Sequence, residues 1–331
     1  MRSGPVKVSV VGAAGYTGGE LLRLVHAHPK LELVQALSRR HAGRPVAEVH
    51  PNLHHLALTF RAPQELEPVD TAFLALPSGA SAEVEAGVGE RAETIVDLSP
   101  DFRGGGLSAD GTAYRTGLPE LFADELVGAT RISVPGCMAT AAILALAPVQ
   151  RAGLVAGDVV VDARAGSSGS GAEPGPASHH AERGNAFRVY KPAGHRHETE
   201  IAALAGVRAR MTVTAVPTVR GAQVLCHVTP PQPVTRRQVL QVLQRAYRDH
   251  PFVRIVARGR GVHRMPDPQF LGGTNFVDIG CAVDEDGGRI VLVAALDNLV
   301  KGAAGGGVQS LNVACGMPED AGLEFPGLHP A

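Results

Sequence analysis

The chain has 331 residues, 44% hydrophobic and 19% charged, with a formal net charge of −1. That length accommodates two domains with separate cores, and a near-neutral charge gives no global attraction to nucleic acid or an anionic membrane. No apolar run reaches the length of a membrane-spanning helix and no signal-peptide core follows the N-terminus, so a cytoplasmic protein without nucleic-acid or membrane partners is expected.

Residues 1–5 read as a loose leader. Val6–Val11 alternates β-branched and polar residues and reads as a buried strand. Gly12-Ala13-Ala14-Gly15-Tyr16-Thr17-Gly18 follows at once, and residues 20–28 read as a helix. Glycines at that spacing, between a strand and a helix, let the backbone turn tightly and approach a pyrophosphate at the helix N-terminus. The second strand, Leu31–Leu37, ends in Ser38, Arg39 and Arg40. An NAD-type site would carry an acidic residue there; a hydroxyl and two guanidinium groups suit the 2′-phosphate of NADP(H) instead. A solvated basic loop is the competing reading.

Residues 70–76 read as another strand, with Ser78 and Gly79 bordering the cofactor at its carboxyl end. Residues 94–98 form the next strand and run into Ser99-Pro100-Asp101-Phe102-Arg103. Arg103 either clamps an anionic substrate group or pairs with Asp101. A short β-like run, 131–134, breaks at Pro135-Gly136 before Cys137 and an Ala/Leu-rich helix over 139–149. A thiol at a strand-to-helix turn meets the unpaired N–H groups and positive dipole end of the helix, which favour thiolate and suit an attacking nucleophile. A small buried core residue is the alternative.

Residues 158–162 read as a strand, and a long polar stretch over 165–197 follows. It gathers His179, His180, His195 and His197 with Arg183, Arg188, Lys191 and Arg196, a cationic density suited to an anion. His195 and His197 stand at a spacing open to a metal, but no companion Cys or carboxylate set accompanies them, and acid–base use of one His is the expectation. The four cysteines lack a Cys-x-x-Cys pair, which argues against zinc and a disulfide framework, so no metal is expected. Residues 212–219 and 224–229 read as paired antiparallel strands, 235–249 as an amphipathic helix, and 276–280 and 289–295 as further strands. Cys226 and Cys281 fall inside strand patterns as packing residues. Asp297-Asn298-Leu299-Val300-Lys301-Gly302 leads into a small-residue helix over 303–315 that returns to the first domain. The class is α/β: a Rossmann NADP-binding domain over 1–148, completed by 299–331, and a mixed-sheet α+β domain over 149–298.

Together, Gly12-Ala13-Ala14-Gly15-Tyr16-Thr17-Gly18, Asp97-Leu98-Ser99-Pro100-Asp101-Phe102-Arg103, Pro135-Gly136-Cys137, His195-Arg196-His197 and Asp297-Asn298-Leu299-Val300-Lys301-Gly302 resemble the N-acetyl-γ-glutamyl-phosphate reductase family. The resemblance covers essentially the whole chain and extends to the lysine-pathway branch, the [amino-group carrier protein]-L-2-aminoadipate 6-phosphate reductases. It implies a semialdehyde dehydrogenase-like architecture whose second domain is catalytic and dimerising, a homo-oligomer (dimer or tetramer), and NADPH-dependent reductive dephosphorylation of an acyl phosphate. Carried over, Cys137 is the nucleophile, His197 the general base and Asn298 a cofactor contact; Arg103, Lys191, His195, Arg196 and Glu200 fall on the substrate side. The arginine-pathway pattern H-R-H-x-P-E is broken here by Thr199, and Ser178-His179-His180-Ala181-Glu182-Arg183 resembles the lysine branch, with a small acidic carrier protein as partner. The arginine-pathway activity, alone or alongside, is the alternative. A non-enzymatic NADP sensor would need no nucleophile, and the His195-Arg196-His197 run argues against aspartate-semialdehyde dehydrogenase.

Overall fold

A computed structural model of the chain describes residues 4–330; Met1, Arg2 and Ser3 of the expected leader, and Ala331, lie outside the described residues. Two compact units result. The first takes the chain up to Pro135 and then Ala303–Glu324; the second takes Gly136–Gly302 and the tail from Phe325. Among the described residues no helix is long and apolar enough to cross a membrane.

The first unit opens with β1 (Val6–Val11), α1 (Tyr16–Ala27), β2 (Leu31–Leu37), β3 (Phe60–Arg61), β4 (Val69–Leu74), α2 (Ala80–Gly89), β5 (Ala92–Asp97), β6 (Arg115–Thr116), α3 (Pro119–Leu126) and β7 (Arg131–Ser133). The strands form one sheet in the order β3-β2-β1-β4-β5-β7-β6, and every pairing is parallel. Parallel strands are covered on both faces, which is why β1 and β4 each carry four consecutive buried residues instead of strict alternation. The order reverses at β1, so the loops after β1 and β4 lie at the switch point where such sheets bind ligands.

The second unit contains α4 (Cys137–Arg151), β8 (Val159–Ala165), α5 (His180–Arg183), β9 (Arg188–Lys191), α6 (His197–Ala205), β10 (Ala209–Ala215), β11 (Ala222–Val228), α7 (Arg236–Tyr247), β12 (Val253–Val256), β13 (Val277–Val283) and β14 (Ile290–Leu296). Its sheet is mixed, in the order β12-β13-β14-β11-β8-β10-β9. β8 runs parallel to β10 and antiparallel to β11. The antiparallel pair expected between the β10 and β11 segments is therefore not formed, because β8 stands between them. Residues 216–221 wrap the end of β8 instead: Val216 N donates to Ala165 O at 3.1 Å, and Ser167 N and Ser168 N donate to Thr218 O and Val219 O at 2.9 Å. The long polar stretch is also less irregular than expected, since it supplies α5 and the edge strand β9.

α4 starts at Cys137 and packs on α6, α7, β11 and β14. The chain thus passes from one unit to the next between Pro135 and Gly136, earlier than the expected boundary at 148, because the helix after the turn belongs to the second sheet. Cys226 and Cys281 are fully buried, and burial pushes their thiols up to about 12 and about 11. After Asp297 a π-helical turn, Val300–Ala304, precedes α8 (Gly305–Ala314), which packs on α1, α3, β5 and β7 of the first unit. Gly307 lets α8 come close: a Cβ there would stand 3.3 Å from the Phe73 ring and 3.5 Å from Val96.

α7 buries Val239, Leu243 and Tyr247, spaced four residues apart on one face. Its start is fixed by a capping box. Gln238 N donates to Thr235 Oγ1 at 3.3 Å, and Thr235 N donates to Gln238 Oε1 at 2.8 Å. Thr235→Ala should therefore lower the unfolding free energy by about 1 kcal/mol without changing the reaction rate; urea denaturation with a parallel activity assay checks both, and an unchanged midpoint would contradict the cap.

Candidate active site

In the first unit the expected dinucleotide turn is built by contacts that exclude side chains. Gly12 has φ +84°, and a Cβ there would run into the Ala75 carbonyl. A Cβ on Gly18 would run into the Gly12 carbonyl oxygen and stand 2.7 Å from Ala13 Cα. A Cβ on Gly15 would meet only Gly12 O at 3.6 Å, so that side of the turn is open to a ligand. Tyr16 and Thr17 begin α1, whose first N–H groups have no partner inside the helix. Gly12 N and Ala13 N both donate to Leu37 O at 3.0 Å, which ties the turn to the residue just before Ser38. Ser38 is buried, and its Oγ accepts from His41 N at 3.3 Å; Arg39 and Arg40 are exposed. The cradle fits a dinucleotide pyrophosphate, with two guanidinium groups one strand-end away.

Ser78 is exposed in the neighbouring loop after β4. That loop is organised by Asp101, whose carboxylate accepts from Gly79 N at 2.7 Å, Ser81 N at 3.1 Å and Ala82 N at 3.2 Å at the start of α2. Asp101 is held in turn through Ser99, whose Oγ accepts from Asp101 N at 3.1 Å and donates to Asp97 at 2.8 Å. Asp97 is fully buried, and that burial pushes its carboxyl up to about 6. Arg103 donates to the carbonyls of Val134 at 2.9 Å and Leu98 at 3.1 Å, so much of its fork binds the backbone of its own unit.

In the second unit Cys137 is the first residue of α4 and half-buried, with Gly136 as the cap before it. The imidazole of His197, itself 3% exposed, lies where a side chain on Gly136 would go: a Cβ would collide with Nε2 and stand 2.7 Å from Cε1. Glu200 accepts from Gly136 N at 2.8 Å through one oxygen and places the other 3.8 Å from His197 Nε2. Glu200, carried over as a substrate contact, thus has its carboxylate engaged at the turn that precedes Cys137. Gly302 closes the other side, since a Cβ on it would collide with Cys137 Cβ. Asn298 is 5% exposed, and its amide spans Gly221 N at 2.7 Å and Ser168 Oγ at 3.0 Å. Asp297 accepts from Gly273 N at 2.6 Å, Leu299 N at 2.8 Å and Arg220 at 3.1 Å, which fixes the strand end before Gly302.

His195 Nδ1 accepts from His197 N at 3.2 Å, and the two rings meet edge to face at 4.4 Å. Burial, with Arg196 and Lys191 nearby, holds the His195 pKa below its ordinary value and keeps the ring neutral. Arg196 and Lys191 are exposed. Tyr190 was not singled out by sequence. Its side chain is about half exposed, and its hydroxyl is pushed up, first by partial burial and then by its electrostatic interaction with Cys137. Gly302 and Glu200 carry only weak sequence signals: one ends a motif, and the other stands three residues after His197, on the same helix face. Among the described residues no group of three or more His, Cys, Asp or Glu is placed to hold a metal ion.

Residues 7–129 match a family model described as the semialdehyde dehydrogenase NAD binding domain, and residues 137–298 match the semialdehyde dehydrogenase dimerisation domain. The chain is 46% identical to a putative [LysW]-L-2-aminoadipate 6-phosphate reductase of Thermomicrobium roseum, over 98% of this chain and 99% of the relative. It is 44% identical to the [LysW]-L-2-aminoadipate 6-phosphate reductase of Deinococcus radiodurans, over 98% of each. The fold is that of aspartate semialdehyde dehydrogenase II of Vibrio cholerae, at a TM-score of 0.72 and 18% identity over 94% of this chain and 98% of that one. A cysteine-led helix on a mixed sheet, a glycine turn on a parallel one, and full-length identity above two fifths agree: the chain belongs to the semialdehyde dehydrogenase family, among its phosphate reductases.

Proposed function

We propose that the protein reduces L-2-aminoadipate 6-phosphate, presented on a small acidic amino-group carrier protein, to the semialdehyde with NADPH, in lysine biosynthesis. The observation that carries the reading is Cys137 at the first position of α4, with His197 packed on the residue before it and Glu200 beside both. The positive end of a fifteen-residue helix stabilises the thiolate. His197 takes the thiol proton, and Glu200 balances the imidazolium that results. The sulfur bonds to the acyl carbon, the carbon–oxygen bond to phosphate breaks, and the departing phosphate takes its proton from solvent. When bound, the reduced nicotinamide supplies hydride to the thioester carbon. His197 holds its proton at the oxyanion of the thiohemiacetal and returns it to sulfur as the carbon–sulfur bond breaks and the aldehyde leaves.

Two finer parts of the reading rest on surface charge. Exposed Arg39 and Arg40, with no acidic side chain at the end of β2, favour NADPH over NADH. Arg183, Arg188, Lys191 and Arg196 line the edge strand β9 and its flanks, more cationic charge than one phosphate requires, and favour an acidic carrier as the substrate's vehicle. The relatives' names refer to a [LysW]-linked substrate, which agrees with that assignment. The match to a dimerisation domain supports a homo-oligomer.

Cys137→Ser should lose nearly all turnover while its circular dichroism and NADPH binding persist, and Cys226→Ala and Cys281→Ala should leave the chemistry intact; full activity in the Cys137 variant would end the covalent mechanism. Replacing Arg39 and Arg40 together by Gln should raise the NADPH KM on the order of a hundredfold or more, since each of the two charge-assisted contacts is worth about 1.5–3 kcal/mol, and leave the NADH KM nearly unchanged. Equal use of both nucleotides by the unmodified enzyme refutes that choice. Catalytic efficiency on the carrier-bound substrate should exceed that on free N-acetylglutamyl phosphate, fall as salt rises, and fall selectively on charge reversal at Arg183 and Arg188. Equal or better use of the free substrate with little salt dependence would assign the enzyme to the arginine pathway.

A further inference from the structure

Gly19 and His50 are absorbed by none of the roles above, yet they meet. A Cβ on Gly19, in the first turn of α1, would stand 2.6 Å from His50 Cε1 and 2.7 Å from Nδ1. His50 Nε2 lies 2.8 Å from the carbonyl oxygen of Ala13, inside the glycine turn. A carbonyl only accepts, so Nε2 carries the proton. The ring is buried and backed by Phe60, with centroids 6.3 Å apart at 62°, and His50 N donates to Val46 O at 2.9 Å. Burial holds the imidazole below its ordinary pKa, which keeps it neutral with Nε2–H as the donor.

The Ala13–Ala14 peptide is trans and planar, so its carbonyl and its N–H point to opposite sides. Binding the Ala13 carbonyl on His50 therefore turns the Ala14 N–H away from the imidazole. We propose that His50 is a positioning residue for the cofactor: clamped between Ala13 and Gly19, it fixes the Ala14 N–H and the α1 N-terminus as pyrophosphate donors. This rests on the assignment of the glycine turn to a nicotinamide dinucleotide. The pyrophosphate is common to NADPH and NADH, so loss of the clamp weakens both alike, unlike loss of Arg39 and Arg40.

The test is a titration of NADPH and NADH by nucleotide fluorescence without substrate, alongside steady-state kinetics. His50→Ala should raise the Kd of both nucleotides about five- to tenfold, the scale of one buried hydrogen bond. Its kcat at saturating NADPH and its acyl-phosphate KM should stay unchanged. His50→Gln, whose amide N–H reaches the same place, should stay within about twofold of the unmodified enzyme, and Gly19→Ala, which displaces the ring, should behave like His50→Ala. Unchanged nucleotide affinity in His50→Ala and Gly19→Ala, with only a lowered melting temperature, overturns the proposal, as does failure of His50→Gln to restore binding. If the unmodified protein binds neither nucleotide, the cofactor assignment itself falls, and the inference with it.

Discussion

A side chain at residue 136 and the imidazole of His197 need the same space, and glycine at 136 resolves the conflict. Much of the second unit's chemistry follows from that. With the ring seated there, the Gly136 N–H is left to face Glu200, and the carboxylate that accepts it also reaches the imidazole. Gly302 is pressed against Cys137 in the same manner. The thiol is located by backbone-to-ring and backbone-to-backbone packing, which does not relax through side-chain rotamers. Effective catalysis depends on such placement, because a displacement on the order of 1 Å can cost about a hundredfold in rate.

The first unit uses the same device for a different end. Gly12 and Gly18 bring a turn, a strand end and a helix into backbone contact, and Gly307 lets α8 lie on the sheet. Where the backbone itself is the binding surface, its direction has to be set by hydrogen bonds from outside the turn. Leu37 and His50 supply these at Ala13, and Asp101 supplies them at Gly79. Charged side chains of the Asp97–Arg103 segment serve the same purpose, with Asp101 capping α2 and Arg103 holding two carbonyls.

What could be read beforehand was whatever local pattern decides. β2 spans Leu31–Leu37 as its composition indicated, and the capping box starts α7 where Thr235 suggested. The turn before Cys137 was legible because Pro135-Gly136 stops a strand and an Ala-rich helix follows. The two-residue strands β3 and β6 carry too little pattern to be seen. The insertion of β8 between β10 and β11 is a long-range pairing, and a strand's composition is the same whichever neighbour it takes. The unit to which α4 belongs was hidden likewise, since an apolar helix fits either sheet. In the candidate site, the strand-to-helix turn pointed to Cys137, and His197 was set apart from His195 by the family resemblance. The contacts of Glu200, Gly302, Tyr190 and His50 belong to the tertiary structure, and spacing alone does not show which backbone a ring or carboxylate will touch.

The return of α8 to the first sheet has a consequence for synthesis. The N-terminal unit cannot cover its sheet until Gly305–Ala314 has left the ribosome, whereas the second sheet is encoded without interruption between Gly136 and Gly302. Vectorial folding ordinarily favours the N-terminal domain; here the second sheet can close while the first still lacks the helix that packs on β5 and β7. For that interval the apolar surface that α8 covers in the finished sheet stands open to solvent.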